Sequence, residues 1–161
     1  MLKRILSLIL TVGLLIPSLI SCDDTREFSH SELVISLPGD FYEEDSEDYD
    51  KVITNGEVSV GIMRISLSAA FESGIPDTLS PLDFAEYMLE KSGIDGAVYR
   101  YNDIPYYTVT VNGGGGEYYS LYTFYRSKYA YFALVFSCPK RLEDEWREKF
   151  FSYADTVAFT A

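Results

Sequence analysis

The stretch from Tyr118 to Cys138 limits the possible folds more than any other part of the chain. Two strand-like runs, Tyr118 to Arg126 and Tyr129 to Cys138, are joined across Ser127-Lys128, which leaves room only for an antiparallel hairpin. In the second run Phe132, Leu134 and Phe136 fall on one face and Ala133 and Val135 on the other. Both faces are apolar, so this strand belongs inside a sheet with a layer packed on each side.

Five further runs extend that sheet. Glu32 to Leu37 places Leu33, Ile35 and Leu37 on one face and is stopped by Pro38-Gly39. Lys51 to Thr54 and Val58 to Ser66 flank the hairpin signal Asn55-Gly56, and Val58, Val60 and Ile62 alternate against Ser59, Gly61 and Met63. Val98 to Tyr101 is short. In the next run Tyr107, Val109 and Val111 alternate against Tyr106, Thr108 and Thr110, a half-buried strand with one wetter face, and Asn112 to Gly116 then turns the chain. That glycine run leads into a strand and lacks a following Lys-Ser/Thr, so it does not read as a nucleotide loop.

Two helices complete the pattern. Ser80 caps the first, Pro81 suits its opening turn, Asp83 completes an S-x-x-D box and Gly93 ends it, with Phe84, Ala85, Met88 and Leu89 on one side. In the second, Leu142, Trp146, Phe150, Tyr153 and Val157 share an arc of about 80°, with Glu143, Glu145, Arg147 and Glu148 outside it. Residues 67 to 79 carry no clear period and are expected to cross irregularly. Strands, a helix, strands and a helix in that order make an α+β domain layered on an antiparallel sheet.

The first 22 residues have a different character. Lys3 and Arg4 precede an apolar run from Ile5 to Ile20, and Leu19-Ile20-Ser21-Cys22 closes it. This resembles a bacterial lipoprotein signal with its lipobox, and the resemblance implies cleavage before Cys22 and palmitate-type acyl chains anchored through its sulfur. The expected organisation is a signal peptide over 1–21, a lipidated tether over 22–31 and a single domain over 32–161. Residues 23 to 31 are polar and aperiodic, a linker whose full extension is about 30 Å.

Loss of Lys3 and Arg4 would leave 11 basic residues against 25 acidic ones, a formal charge of −14. So acidic a chain is repelled by nucleic acid, which is excluded as a partner. If Cys22 is acylated, Cys138 is the one remaining thiol and no intrachain disulfide can form. The single histidine, His30, lies in the expected tether, so Cys138 has no evident base and reads as a small buried hydrophobe.

The chain from Glu32 onward resembles the PsbP-like and DcrB-like domains. The resemblance rests on Leu33 to Pro38 followed by the aromatic Phe41, the strand ending near Met63-Arg64, the helix opening at Ser80, the paired strands around Tyr122 and Tyr131 to Phe136, and the aromatic helix from Trp146 to Tyr153. It implies an α/β/α sandwich and an accessory or binding role without catalysis.

No catalytic constellation or cofactor motif is present in the sequence. Paired carboxylates such as Asp40 with Glu43, or Asp144 with Glu148, are the only acids an envelope hydrolase could draw on. No metal is assigned; Glu43, Glu44, Asp45, Glu47, Asp48 and Asp50 form the one candidate calcium set, without the glycine and distal glutamate of an EF-hand loop. The face carrying Tyr106, Thr108 and Thr110, extended by Tyr118 or Tyr119 on the neighbouring strand, is the candidate surface for an envelope protein or polymer.

Overall fold

In a computed structural model of the chain, residues 24–113 and 115–161 are described. The signal segment and Cys22 lie outside the described residues. The elements are Thr25–His30 (β1), Leu33–Pro38 (β2), Tyr42–Glu44 (β3), Lys51–Thr54 (β4), Ser59–Ser66 (β5), Leu67–Glu72 (α1), Pro81–Ser92 (α2), Tyr99–Tyr101 (β6), Ile104–Gly113 (β7), Gly116–Arg126 (β8), Ala130–Pro139 (β9), Glu143–Ala154 (α3) and Ala158–Phe159 (β10).

Seven strands form the main sheet in the order β3-β4-β5-β9-β8-β7-β6, with every pairing antiparallel. β9 takes the middle position, as its doubly apolar sequence requires. Phe132, Leu134 and Phe136 meet one core with Trp146, Phe150 and Phe151 of α3. Tyr131 and Ala133 meet another with Phe84, Ala85 and Leu89 of α2. A smaller sheet, β1-β2-β10, shares the layer of α3 and delivers Phe28, Leu33, Ile35 and Leu37 to the first core. The sheet is therefore sandwiched between α1 with α2 on one face and α3 with the small sheet on the other.

Local signals explain most of the boundaries. Ser80 Oγ accepts from the Asp83 N–H and the Asp83 carboxylate accepts from the Ser80 N–H, which closes the capping box, while Gly93 ends α2 in the left-handed conformation at φ 66°. Tyr131 stacks on Phe84 at 4.4 Å and donates to the Pro76 carbonyl at 2.9 Å, pinning the segment before α2 to the central strand.

Three expectations are corrected. Residues 25–30, expected as linker, form β1, paired with β2 from Thr25↔Pro38 to His30↔Leu33. Only Phe28 of that strand is buried, so its sequence shows no alternation to betray it. Residues 67–72, expected to be irregular, form α1, capped by Ser66 and burying Ala70 alone; six residues are too few to display a helical period. Glu143, expected outside the apolar arc of the last helix, is buried and bridges Lys140 and Arg147.

The β1–β2 hairpin is fastened to the main sheet through Glu32. Its carboxylate accepts from Ser127 Oγ at 2.6 Å and from Arg64 Nε at 3.1 Å. Burial alone would raise this carboxyl, but those hydrogen bonds outweigh it and hold its pKa below the ordinary 4.5. A depressed carboxyl stabilises the fold fully above its unfolded pKa, and the contribution is lost as pH falls through the folded value. Glu32→Gln should therefore be less stable than the parent at neutral pH, with the gap closing below pH 4.5. Urea midpoints measured across that range would test this, and a gap independent of pH would exclude the linkage.

Candidate functional site

The tight turn at Asn102-Asp103 folds β6 back on β7, pairing Tyr99 with Tyr106 and Tyr101 with Ile104. β8 pairs on the other side of β7, with Tyr106↔Thr123, Thr108↔Leu121 and Thr110↔Tyr119. Side chains alternate along strands, so Tyr106, Thr108, Thr110 and Tyr119 share the face turned toward α3. α3 does not cover that face fully. Phe151 stacks on Tyr101 at 4.3 Å and meets the edge of Tyr106 at 4.9 Å. Tyr99, Tyr106, Thr108, Tyr119, Arg147 and Phe151 then enclose an open cavity of about 170 Å³.

Tyr119 is the unusual member of this cavity. Only 2% of the residue is exposed, and among the described residues its buried hydroxyl has no acceptor. Lys140 and Arg147 lie over its ring at 5.7 and 5.6 Å from the centroid, both paired with Glu143. Burial pushes the phenol up to about 12, and the Arg147 guanidinium beside it, by its charge and as a donor turned toward the oxygen, offsets part of that rise. At neutral pH the group is thus a protonated donor with nothing to donate to. An unsatisfied buried hydroxyl costs about 1 to 3 kcal/mol, so a protein that keeps one forgoes stability. Tyr119→Phe should raise stability by about 1 kcal/mol in equilibrium denaturation. A fall of that size would show that the hydroxyl is already satisfied.

The other residues singled out in the sequence are dispersed. Thr108 and Thr110 are exposed, and Tyr106 is half-buried between Tyr99 and Phe151. Tyr118 is not part of this face: it pairs with Val111 and points to the opposite side. The register is set by the Gly113↔Gly116 closure, where Gly116 adopts φ 121°, and one residue of slip would have exchanged Tyr118 for Tyr119. Cys138 is 1% exposed, and burial pushes its thiol up to about 11. Asp144 and Glu148 are exposed on α3.

In the acidic run, Glu43 pairs with Lys51 at 2.8 Å, and the Asp50 carboxylate accepts from the Arg64 N–H at 2.6 Å. Asp40 accepts from Asn55 at 3.2 Å. Among the described residues no group of three or more His, Cys, Asp or Glu side chains is arranged to hold a metal ion.

Tyr99, Arg147 and Phe151 were not anticipated. Phe151 follows Phe150, and two consecutive aromatics on a helix span about 100°, wider than the stripe that identified the helix. That adjacency was the available signal. Arg147 shows itself only through its i,i+4 partner Glu143, an arrangement equally common on a solvated face.

No family model and no curated protein matches the chain. Solved structures do. A crystal structure from Bacteroides thetaiotaomicron VPI-5482 superposes with a TM-score of 0.58 at 13% identity, covering 84% of this chain and 48% of that one. The chain thus spans about half the length of the Bacteroides protein. The solution structure of cyanobacterial PsbP (CyanoP) from Synechocystis sp. PCC 6803 superposes with a TM-score of 0.54 at 12% identity, covering 88% of this chain and 95% of that one. At these identities the likeness is one of fold, and the fold is PsbP-like.

Proposed function

We propose that the protein is a lipoprotein held at the extracytoplasmic face of the cell membrane through Cys22, and that its domain is a non-catalytic binding module for an envelope protein or polymer. The observation that carries this reading is the cavity beside β7, where a buried donor, Tyr119, lacks an acceptor and two exposed threonines continue the same face. Large aromatic area with unspent hydrogen-bonding capacity is what recognition surfaces offer. The thiol supports the non-catalytic part of the reading. Cys138 is buried with its pKa raised, and His30 lies on a strand of the other sheet. The lipobox-like run Leu19-Ile20-Ser21-Cys22 supports the location, since the two or three acyl chains that such a signal implies would hold a protein on a bilayer where one is marginal.

A photo-crosslinking residue at position 108, compared with the same residue at exposed position 129, tests the module directly. Irradiation in the native membranes should give discrete adducts from position 108 that position 129 does not give. Identical adduct patterns, or none from 108, would remove the binding face.

A further inference from the structure

β6 is three residues long and pairs only with Ile104, Pro105 and Tyr106. Among the described residues, β7 from Tyr107 to Gly113 pairs with a strand on one side alone, which is β8. Antiparallel ladders alternate, and residues flanking a two-residue turn form a hydrogen-bonded pair. Tyr101 and Ile104 flank one such turn, so Ile104 and Tyr106 direct their N–H and C=O toward β6. The same alternation sends the backbone groups of Thr108, Thr110 and Asn112 outward past the end of β6. Gly113 and Gly116 flank the other turn, which gives Val109 and Val111 to β8 and agrees with that assignment.

Sheet edges are normally defended by charge, proline or brevity. β1 carries Arg26 and Glu27, β3 carries Glu43 and Glu44 in three residues, and β10 has two residues. The open part of β7 reads Tyr-Thr-Val-Thr-Val-Asn-Gly, with no charge, no proline and strong strand preference. It is the undefended edge of the described fold. The cavity of Tyr99, Tyr106, Thr108, Tyr119, Arg147 and Phe151 lies where a strand continuing the line of β6 would put a side chain of the α3-facing set.

We propose that this edge is a strand-addition site, occupied by an extended segment of a basic polypeptide that pairs with Thr108, Thr110 and Asn112 and lowers one short, oxygen-bearing side chain into the cavity. Main-chain pairing supplies affinity in this mode of recognition and the pocket supplies specificity. The Tyr119 hydroxyl and the Arg147 guanidinium are both donors, so the entering group is an acceptor. The charge of the partner follows from the chain's own: −12 in full, and −14 over residues 22–161. At that charge a second copy is repelled and a cationic segment is steered in.

The inference rests on the reading of this face as a binding site, and the experiment separates the two. The probe is a short fluorescent peptide alternating lysine and threonine, compared with its glutamate-for-lysine counterpart and with a version N-methylated at alternate residues. Fluorescence anisotropy against the full-length protein should show binding of the lysine peptide alone. Thr110→Pro removes an outward N–H and leaves the β8 ladder intact, so it should weaken binding by about tenfold or more. Tyr119→Phe should weaken it severalfold. The methylated peptide gives the same comparison without altering the protein's fold. Binding that survives both Thr110→Pro and methylation but falls with Tyr119→Phe would overturn strand addition and leave the face a binding site. No binding of the lysine peptide, equal binding of the glutamate peptide, or a protein dimer abolished by Thr110→Pro would overturn the proposal as stated.

Discussion

Phe150→Ala is expected to destabilise the domain by about 3 to 5 kcal/mol, the cost of truncating a buried aromatic that leaves a cavity. Phe150 is fully buried and lies between Phe136 of the central strand, 5.5 Å between ring centroids, and Trp146 one turn earlier, 5.9 Å away. It is the point at which α3 is fixed to β9. The loss is a large part of the 5 to 15 kcal/mol that holds a domain of this size. Because Phe151 and Arg147 ride on the same helix, loosening it also opens the cavity wall against Tyr101 and Tyr106. A urea midpoint shift at constant slope measures the first effect. Glu148→Ala, on the exposed side of α3, is the control and should change stability by no more than about 0.5 kcal/mol. If the two substitutions cost the same, α3 is not docked as described.

Elements with a repeating apolar pattern were legible in the sequence because one face of each is buried along its whole length. β9, with both faces apolar, announced its central place, and the capping box and Gly93 marked the ends of α2. β1 and α1 were not legible, since each buries a single side chain, Phe28 and Ala70, and one residue makes no period. The candidate face was half legible. Its β7 members follow from strict alternation, but its β8 member depends on a register that a run of glycines leaves open, and Tyr119 differs from Tyr118 by one step. The walls from α3 were hidden for another reason. Phe151 lies off the main stripe and Arg147 looks like a surface ion-pair partner, and only the placement of α3 over β7 and β8 brings them to Tyr119. Glu143 shows the same limit from the opposite side. Its angle puts it outside the apolar arc, whereas Lys140 and Arg147 together make its burial tolerable and hold its carboxyl below the ordinary range against the effect of desolvation.

Cys22→Ala is expected to abolish incorporation of labelled fatty acid and to leave a precursor that retains residues 1–21, an all-or-none change readable by labelling and electrophoretic mobility. The lipobox reading makes the Cys22 sulfur the sole attachment point, so no neighbouring side chain can substitute for it. The fold itself should be indifferent, because β1 begins at Thr25 and the cores are built from Phe28 onward; the melting temperature of the domain is the internal control. With strand structure starting at Thr25, only Asp23 and Asp24 separate it from Cys22, the proposed acylation site, about 10 Å of chain and not the 30 Å of a nine-residue tether. Thr25 pairs with Pro38, whose carbonyl accepts from the Phe41 N–H at 3.1 Å. From there the register runs through Tyr42↔Thr54, Thr54↔Ser59 and Ser59↔Ser137 to Ser120↔Ser137 and Tyr118↔Pro139. The chain therefore leaves the domain at the end of the sheet where the β7–β8 turn lies. If Cys22 is acylated as proposed, the open edge of β7 would start next to the bilayer and run away from it, within reach of the extracytoplasmic segments of other membrane-held proteins. Acylation of the Cys22→Ala protein, or its cleavage at the same place, would remove both the anchor and this orientation.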